Sequence, residues 1–121
     1  MTTSTSLIFN LTQRDGVLII ELRGALDSAL AMESVAEAMA QSSAGNVIVV
    51  FDEIEYINSA GFGGLVRFSD AVEHAKKSLY IVGLKSKVHL VFSAVGAHSI
   101  LNILPTVEDA MKRIQSEANP A

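Results

Sequence analysis

Five consecutive apolar residues, Val47-Ile48-Val49-Val50-Phe51, constrain this chain more than any other stretch. A strand points alternate side chains to opposite faces, so this unbroken run is apolar on both and suits a central strand covered by helices on at least one side. That pattern predicts a central strand in a sheet with helices packed on it. The run is far short of the roughly 20 residues a helix needs to cross a bilayer. Material for the covering layers is plentiful, since 50% of the 121 residues are apolar and only 18% are charged. Disordered chains lack that balance.

The flanking segments predict what does the covering. Leu7 to Leu11 and Val17 to Arg23 are β-rich runs separated by Arg14-Asp15-Gly16, a hairpin signal. After Gly24, the residues Met32, Val35, Ala36 and Met39 form one helical stripe. Beyond the central run, Asp52 to Ser59 reads as a polar loop with an apolar insert, Ile54 to Ile57. A second helix carries Phe62, Leu65, Val66, Ser69 and Val72 on one face. Leu79 to Gly83 reads as a strand, Val88, Val91, Phe92 and Val95 as a third helical stripe, and Ile100 to Leu104 as a weak strand. A last helix turns Val107, Ala110, Met111 and Ile114 inward, with Thr106 and Asp109 at capping-box spacing. The order β-β-α-β-α-β-α-β-α describes a single α/β domain over residues 7–115, with residues 1–6 and 116–121 expected to be flexible ends.

Charge and residue usage narrow the function. Nine Lys and Arg against thirteen Asp and Glu leave a net charge of −4, the wrong sign for a nucleic-acid groove or an anionic membrane. Cysteine is absent, which excludes disulfides, thiolate catalysis and cysteine-ligated metals. The first residues, Met1-Thr2-Thr3-Ser4-Thr5-Ser6, carry no basic region or apolar stretch of signal-peptide type, so a cytoplasmic location is expected.

One junction is chemically unusual: Tyr56-Ile57-Asn58-Ser59-Ala60-Gly61-Phe62-Gly63-Gly64-Leu65. Asn58 and Ser59 are both favoured N-cap types. Glycine inside a helix costs roughly 1 kcal/mol relative to alanine, so three in one opening turn require a reason. Either the backbone packs closely there, or the helix N-terminus is left bare for an anion or a docked partner. Dinucleotide binding is not the reason. Val66 stands where the third glycine of G-x-G-x-x-G belongs, no G-K-[ST] is present, and no acid follows Val82-Gly83-Leu84-Lys85 to hold a ribose.

The stretch Asn58-Ser59-Ala60-Gly61-Phe62-Gly63 resembles the D-S-[ST]-G-[LF]-G motif of the STAS domain of bacterial anti-sigma factor antagonists. Gly24-Ala25-Leu26-Asp27 resembles that family's G-x-[LI]-D turn. The element order agrees from about Leu7 to Ile114. The resemblance implies a STAS fold, a mixed four- to five-stranded sheet packed against about four helices. It also implies a protein–protein interaction module that acts without catalysis, cofactor or metal. Its partner would be an anti-sigma factor of the serine kinase type, and binding it would release a sigma factor. The implied contact residues are Asp27, Asn58, Ser59, Ala60, Gly61, Gly63 and Gly64.

The family's kinase phosphorylates the second hydroxyl residue of the motif, and that position is Ala60, which has no hydroxyl. The family's aspartate is Asn58. Three readings stay open. Ala60 leaves the chain permanently binding-competent; or Ser59 serves as a substitute acceptor, although one residue turns the side chain about 100° around the helix; or Ser59 only caps the helix and the partner differs. A STAS subunit of a lipid-transport ATPase or other signalling complex, and an anion or small-ligand binder at the helix N-terminus, are the alternatives.

The remaining chemistry-bearing residues have bland readings. Asp27 is a contact residue or the N-cap of the helix containing Met32. His74, His89 and His98 lack metal-ligand spacing and read as solvated or capping side chains. Asp52, Glu53 and Glu55 read as a solvated acidic edge able to steer a basic partner. Phe62 reads as core, because it lies on the apolar stripe.

Overall fold

The computed structural model describes residues 7–118. Strand β1 (Ile8–Arg14) pairs antiparallel with β2 (Val17–Leu26) through a two-residue turn, and Asp15 and Gly16 both take positive φ, 53° and 77°. That is the backbone sign a tight right-twisted hairpin requires, and the Asp-Gly pair is suited to it. Helix α1 (Glu33–Ala40), β3 (Asn46–Ile57), α2 (Ser59–His74), β4 (Ser78–Val82), α3 (Ser86–Ala94), a 3-10 turn (Ala97–Ser99), β5 (Asn102–Leu104) and α4 (Val107–Ala118) follow. The sheet order is β1-β2-β3-β4-β5, with β2 to β5 all parallel. The STAS-type architecture expected from the motifs is therefore present, with five strands and four α-helices among the described residues.

Strand order explains the layering. Each parallel strand lies beside the next in sequence, so three crossovers of the same right hand place α1, α2 and α3 on one face. Val35 and Met39 of α1, Leu65, Phe68 and Val72 of α2, and Val88 and Phe92 of α3 join Leu18, Ile20, Val47, Val49 and Ile81 in one buried cluster. Helix α4 follows the last strand and covers the opposite face, where Ala110, Met111 and Ile114 meet Val17, Ile19, Ile48, Tyr80 and Val82. The central run Val47 to Phe51 is thus covered from both sides.

Tyr80 ties α4 to that face. Its ring is 1% exposed and its hydroxyl donates to Glu117 Oε1 at 2.8 Å. Burial first, then the Glu117 carboxylate, push the phenol up to about 12. At the start of α4, Thr106 Oγ1 accepts from the Asp109 amide at 3.1 Å and donates to Asp109 Oδ2 at 2.8 Å, as the capping spacing predicts.

The structure corrects several expectations. Residues 52–57 are no loop, because β3 continues to Ile57 with Ile54 and Ile57 buried between exposed Glu53, Glu55 and Tyr56. Phe68, absent from the predicted stripe of α2, is 1% exposed, while Val66 is only half-buried. Val95 is 51% exposed, since α3 ends at Ala94 before its stripe reaches that far. Helix α4 runs to Ala118, so the segment set aside as a C-terminal end begins inside it. Residues 1–6 and 119–121, the rest of the expected flexible ends, lie outside the described residues.

Candidate functional site

The two STAS-like motifs meet at one end of the sheet. Leu26 at the end of β2 is in register with Ile57 at the end of β3, and the Asn58 amide donates to the Leu26 carbonyl at 3.3 Å. Gly24, at φ 110°, sits where the β2–β3 register shifts, a backbone state that a side chain strongly disfavours. This irregularity delivers Leu26 and Asp27 beside the start of α2.

Asn58 is the cap of α2. Its backbone is extended (φ −127°, ψ −176°), its Oδ1 accepts from the Gly61 amide at 2.9 Å, and its carbonyl accepts from the Phe62 amide at 2.8 Å. Ser59, the other candidate cap, is instead the first helical residue and is exposed. An amide oxygen therefore does the capping that a carboxylate at this position would also do, without the negative charge. Asp27 caps nothing. The residue before α1 is Met32, which makes no side-chain cap, and the nearby polar turn is closed by Ser28, whose Oγ accepts from the Leu30 amide at 3.1 Å.

The three glycines divide into two kinds. Gly61 and Gly64 are buried, and both face the segment that links β2 to α1. A Cβ on Gly61 would drive into the Leu26 carbonyl, and one on Gly64 would stand 2.9 Å from the Ala29 carbonyl oxygen. They are glycine because backbone meets backbone there, so neither presents a contact surface. Gly63 differs: a Cβ on it would meet nothing within 4 Å.

Ser59, Ala60 and Gly63 thus form the outer side of the turn, with exposed Asp27 from the neighbouring segment. Two large apolar residues at the same end escaped sequence reasoning, Leu30 at 59% exposure and Tyr56 at 52%. Leu30 precedes the helical stripe of α1, and Tyr56 is exposed between buried Ile54 and Ile57; only the bulged register of β3 reveals its outward side. Phe62 points inward, as expected. Its ring stands edge-on to Phe92 at 5.4 Å, and Phe92 is edge-on to Phe51 at 5.7 Å.

The acidic residues of β3 are solvent-exposed, as expected. Asp52 and Glu53 line a groove of about 250 Å³ with Ile8, Asn10, Glu21 and Arg23, and Glu55 reaches Lys85 at 3.4 Å. Val50 and Glu21 of this groove share the face that α4 covers further along. The turn presents small and apolar groups with free helix-start amides and one carboxylate, Asp27. Such a surface suits docking, and it contains no nucleophile set beside a base and an orienting group. Among the described residues no group of three or more His, Cys, Asp or Glu converges, and no helix is long and apolar enough to cross a membrane.

A family model described as STAS domain matches residues 9–110, from β1 into α4. The chain belongs to the STAS domain family. It is 34% identical over 98 residues to BtrV of Bordetella bronchiseptica, which carries the name anti-sigma factor antagonist, covering 79% of this chain and 84% of that one. Two solved structures show the same fold. An anti-sigma factor antagonist from Mycobacterium paratuberculosis superposes with a TM-score of 0.78 at 18% identity, covering 91% of this chain and 95% of that one. The unphosphorylated form of the Bacillus antagonist SpoIIAA gives 0.70 at 21% identity, covering 90% and 97%. This STAS domain is thus of the anti-sigma factor antagonist-like kind, a group of binding modules.

Proposed function

We propose that this STAS domain binds an anti-sigma factor of the serine kinase type, so releasing a sigma factor, and that it does so without the phosphorylation switch of its family. The carrying observation is Ala60. It occupies the family's acceptor position on the exposed outer side of the α2 turn, where a phosphate would add about −1.5 to −2 charges to the contact surface. Asn58 supports the same reading, since it keeps the cap while removing the family's local carboxylate.

The contact surface comprises Asp27, Ser59, Ala60 and Gly63, flanked by Leu30 and Tyr56. Gly61 and Gly64 hold that surface in place by letting α2 approach Leu26–Ala29. Ser59 adjoins the acceptor position but leaves the helix in a different direction, so it is not a ready substitute.

The test uses the purified protein and a kinase-like anti-sigma factor from the same genome. Calorimetry should show binding by the unaltered protein and by Ala60→Ser, and loss of binding by a still-folded Gly63→Arg. After incubation with ATP, mass spectrometry should find phosphate on Ala60→Ser only, with its release from the complex. Phosphate on Ser59 of the unaltered chain would overturn the absent switch. Full binding by Gly63→Arg would overturn the surface.

A further inference from the structure

His89 and His98 stand nine residues apart in the sequence, yet their rings are neighbours. The centroids are 5.0 Å apart and the planes are tilted by 58°. The local fold explains the approach. Helix α3 ends at Ala94, Gly96 takes a left-handed φ of 70°, and the 3-10 turn Ala97–Ser99 folds back along the helix. Ala97, buried completely, anchors that turn, and its carbonyl accepts from the amides of Ile100 and Leu101 at 3.0 and 2.9 Å. Both imidazoles line a cavity of about 370 Å³ whose other walls are Leu84, Ile103, Leu104 and Pro105.

We propose that this pair chelates a divalent transition cation of the zinc or nickel class. Zn–N bonds of about 2.0–2.1 Å place each ring centroid about 3.2 Å from the metal, so two tetrahedral imidazole ligands have centroids about 5 Å apart. The observed separation matches that bite. Neither ring has a carboxylate within salt-bridge reach among the described residues. The Nδ1 of His89 lies 3.5 Å from Ser93 Oγ. With Nδ1–H turned to that oxygen, Nε2 keeps its lone pair for the metal, the usual outer-shell arrangement of a ligating histidine. Imidazole nitrogens with no oxygen donors select zinc, nickel, cobalt or copper over magnesium or calcium. Two protein ligands leave the remaining positions to water or a small exogenous donor inside the cavity. The bound ion would link α3 to the turn before β5, on residues that the docking surface does not use.

Titration of the full chain with zinc chloride, followed by calorimetry and by the histidine ring resonances, tests this. The expected result is saturable one-to-one binding that shifts the signals of His89 and His98 and leaves His74 in place. Binding should weaken at least tenfold in His89→Gln and in His98→Gln, be unchanged in His74→Gln, and be absent with magnesium. No saturable binding, equal shifts at all three histidines, or affinity untouched by both site substitutions would each overturn the proposal. The ring resonances of the unaltered protein decide the matter even if a variant fails to fold.

Discussion

The sheet seats a helix on each face by opposite means. On the three-helix side, α2 begins with glycines, and its backbone lies against the backbone of Leu26–Ala29 because Gly61 and Gly64 have no side chains. On the other side, α4 stands off on Ala110, Met111 and Ile114 and is pinned at its far end by Tyr80 to Glu117. Filled contacts of the second kind tolerate adjustment, since side chains can repack at modest cost. Backbone contacts of the first kind do not. The difference teaches why the turn proposed for docking can be bare on its outer side and still hold its position. Its inner side is fixed by close approach rather than by side chains that a partner would compete for.

Four substitutions break or sharpen that comparison. Gly61→Ala should do most damage, about 3 kcal/mol or more, because the added methyl meets a backbone carbonyl that cannot rotate away. Urea unfolding should show the loss, and near-normal stability would mean α2 is not seated as described. Asn58→Ala removes the cap from the same turn and should cost about 1 kcal/mol, read as a lower urea midpoint at unchanged slope.

Tyr80→Phe probes the opposite face and should cost about 1 kcal/mol at neutral pH for the lost bond to Glu117. It also carries a pH signature. The phenol sits at about 12 in the folded state, above its ordinary value of 10.0. The folded chain therefore holds this proton after the unfolded chain has released it. That contribution to stability is complete below pH 10 and is lost as pH rises towards 12. Stability measured across this window should fall less steeply in Tyr80→Phe than in the unaltered protein; parallel slopes would remove Tyr80 as the cause. Smallest, and opposite in sign, is Gly63→Ala. With open space around its Cβ, it should stabilise by about 0.5–1 kcal/mol. Destabilisation would show that Gly63, like its neighbours, serves packing.

Much of the fold is legible in the residues. The Val47–Phe51 run specifies a central, helix-covered strand, Asp15-Gly16 specifies the hairpin, and Thr106 with Asp109 marks the start of α4. Legibility failed where two periods compete. Asp52 to Ile57 alternates imperfectly because β3 changes register against β2, and a polar strand with a bulge looks like a loop in one dimension. At the candidate site, Asn58 and Ser59 are equal as cap types, and only the Asn58 bond to the Gly61 amide separates them.

By itself the sequence determined the α/β order, the apolar central strand and the two motifs that resemble those of the family, together with an alanine at residue 60. These are local properties, set by side-chain period, turn chemistry and residue identity. Which glycine is buried and which is bare, where the acidic residues of β3 face, and that His89 meets His98 were decided by tertiary structure alone. Each of those depends on a neighbour distant in sequence: the Leu26–Ala29 segment, strands β1 and β2, and a left-handed turn at Gly96. Composition and spacing carry no record of such neighbours, because close approach is a property of pairs of segments and not of either one.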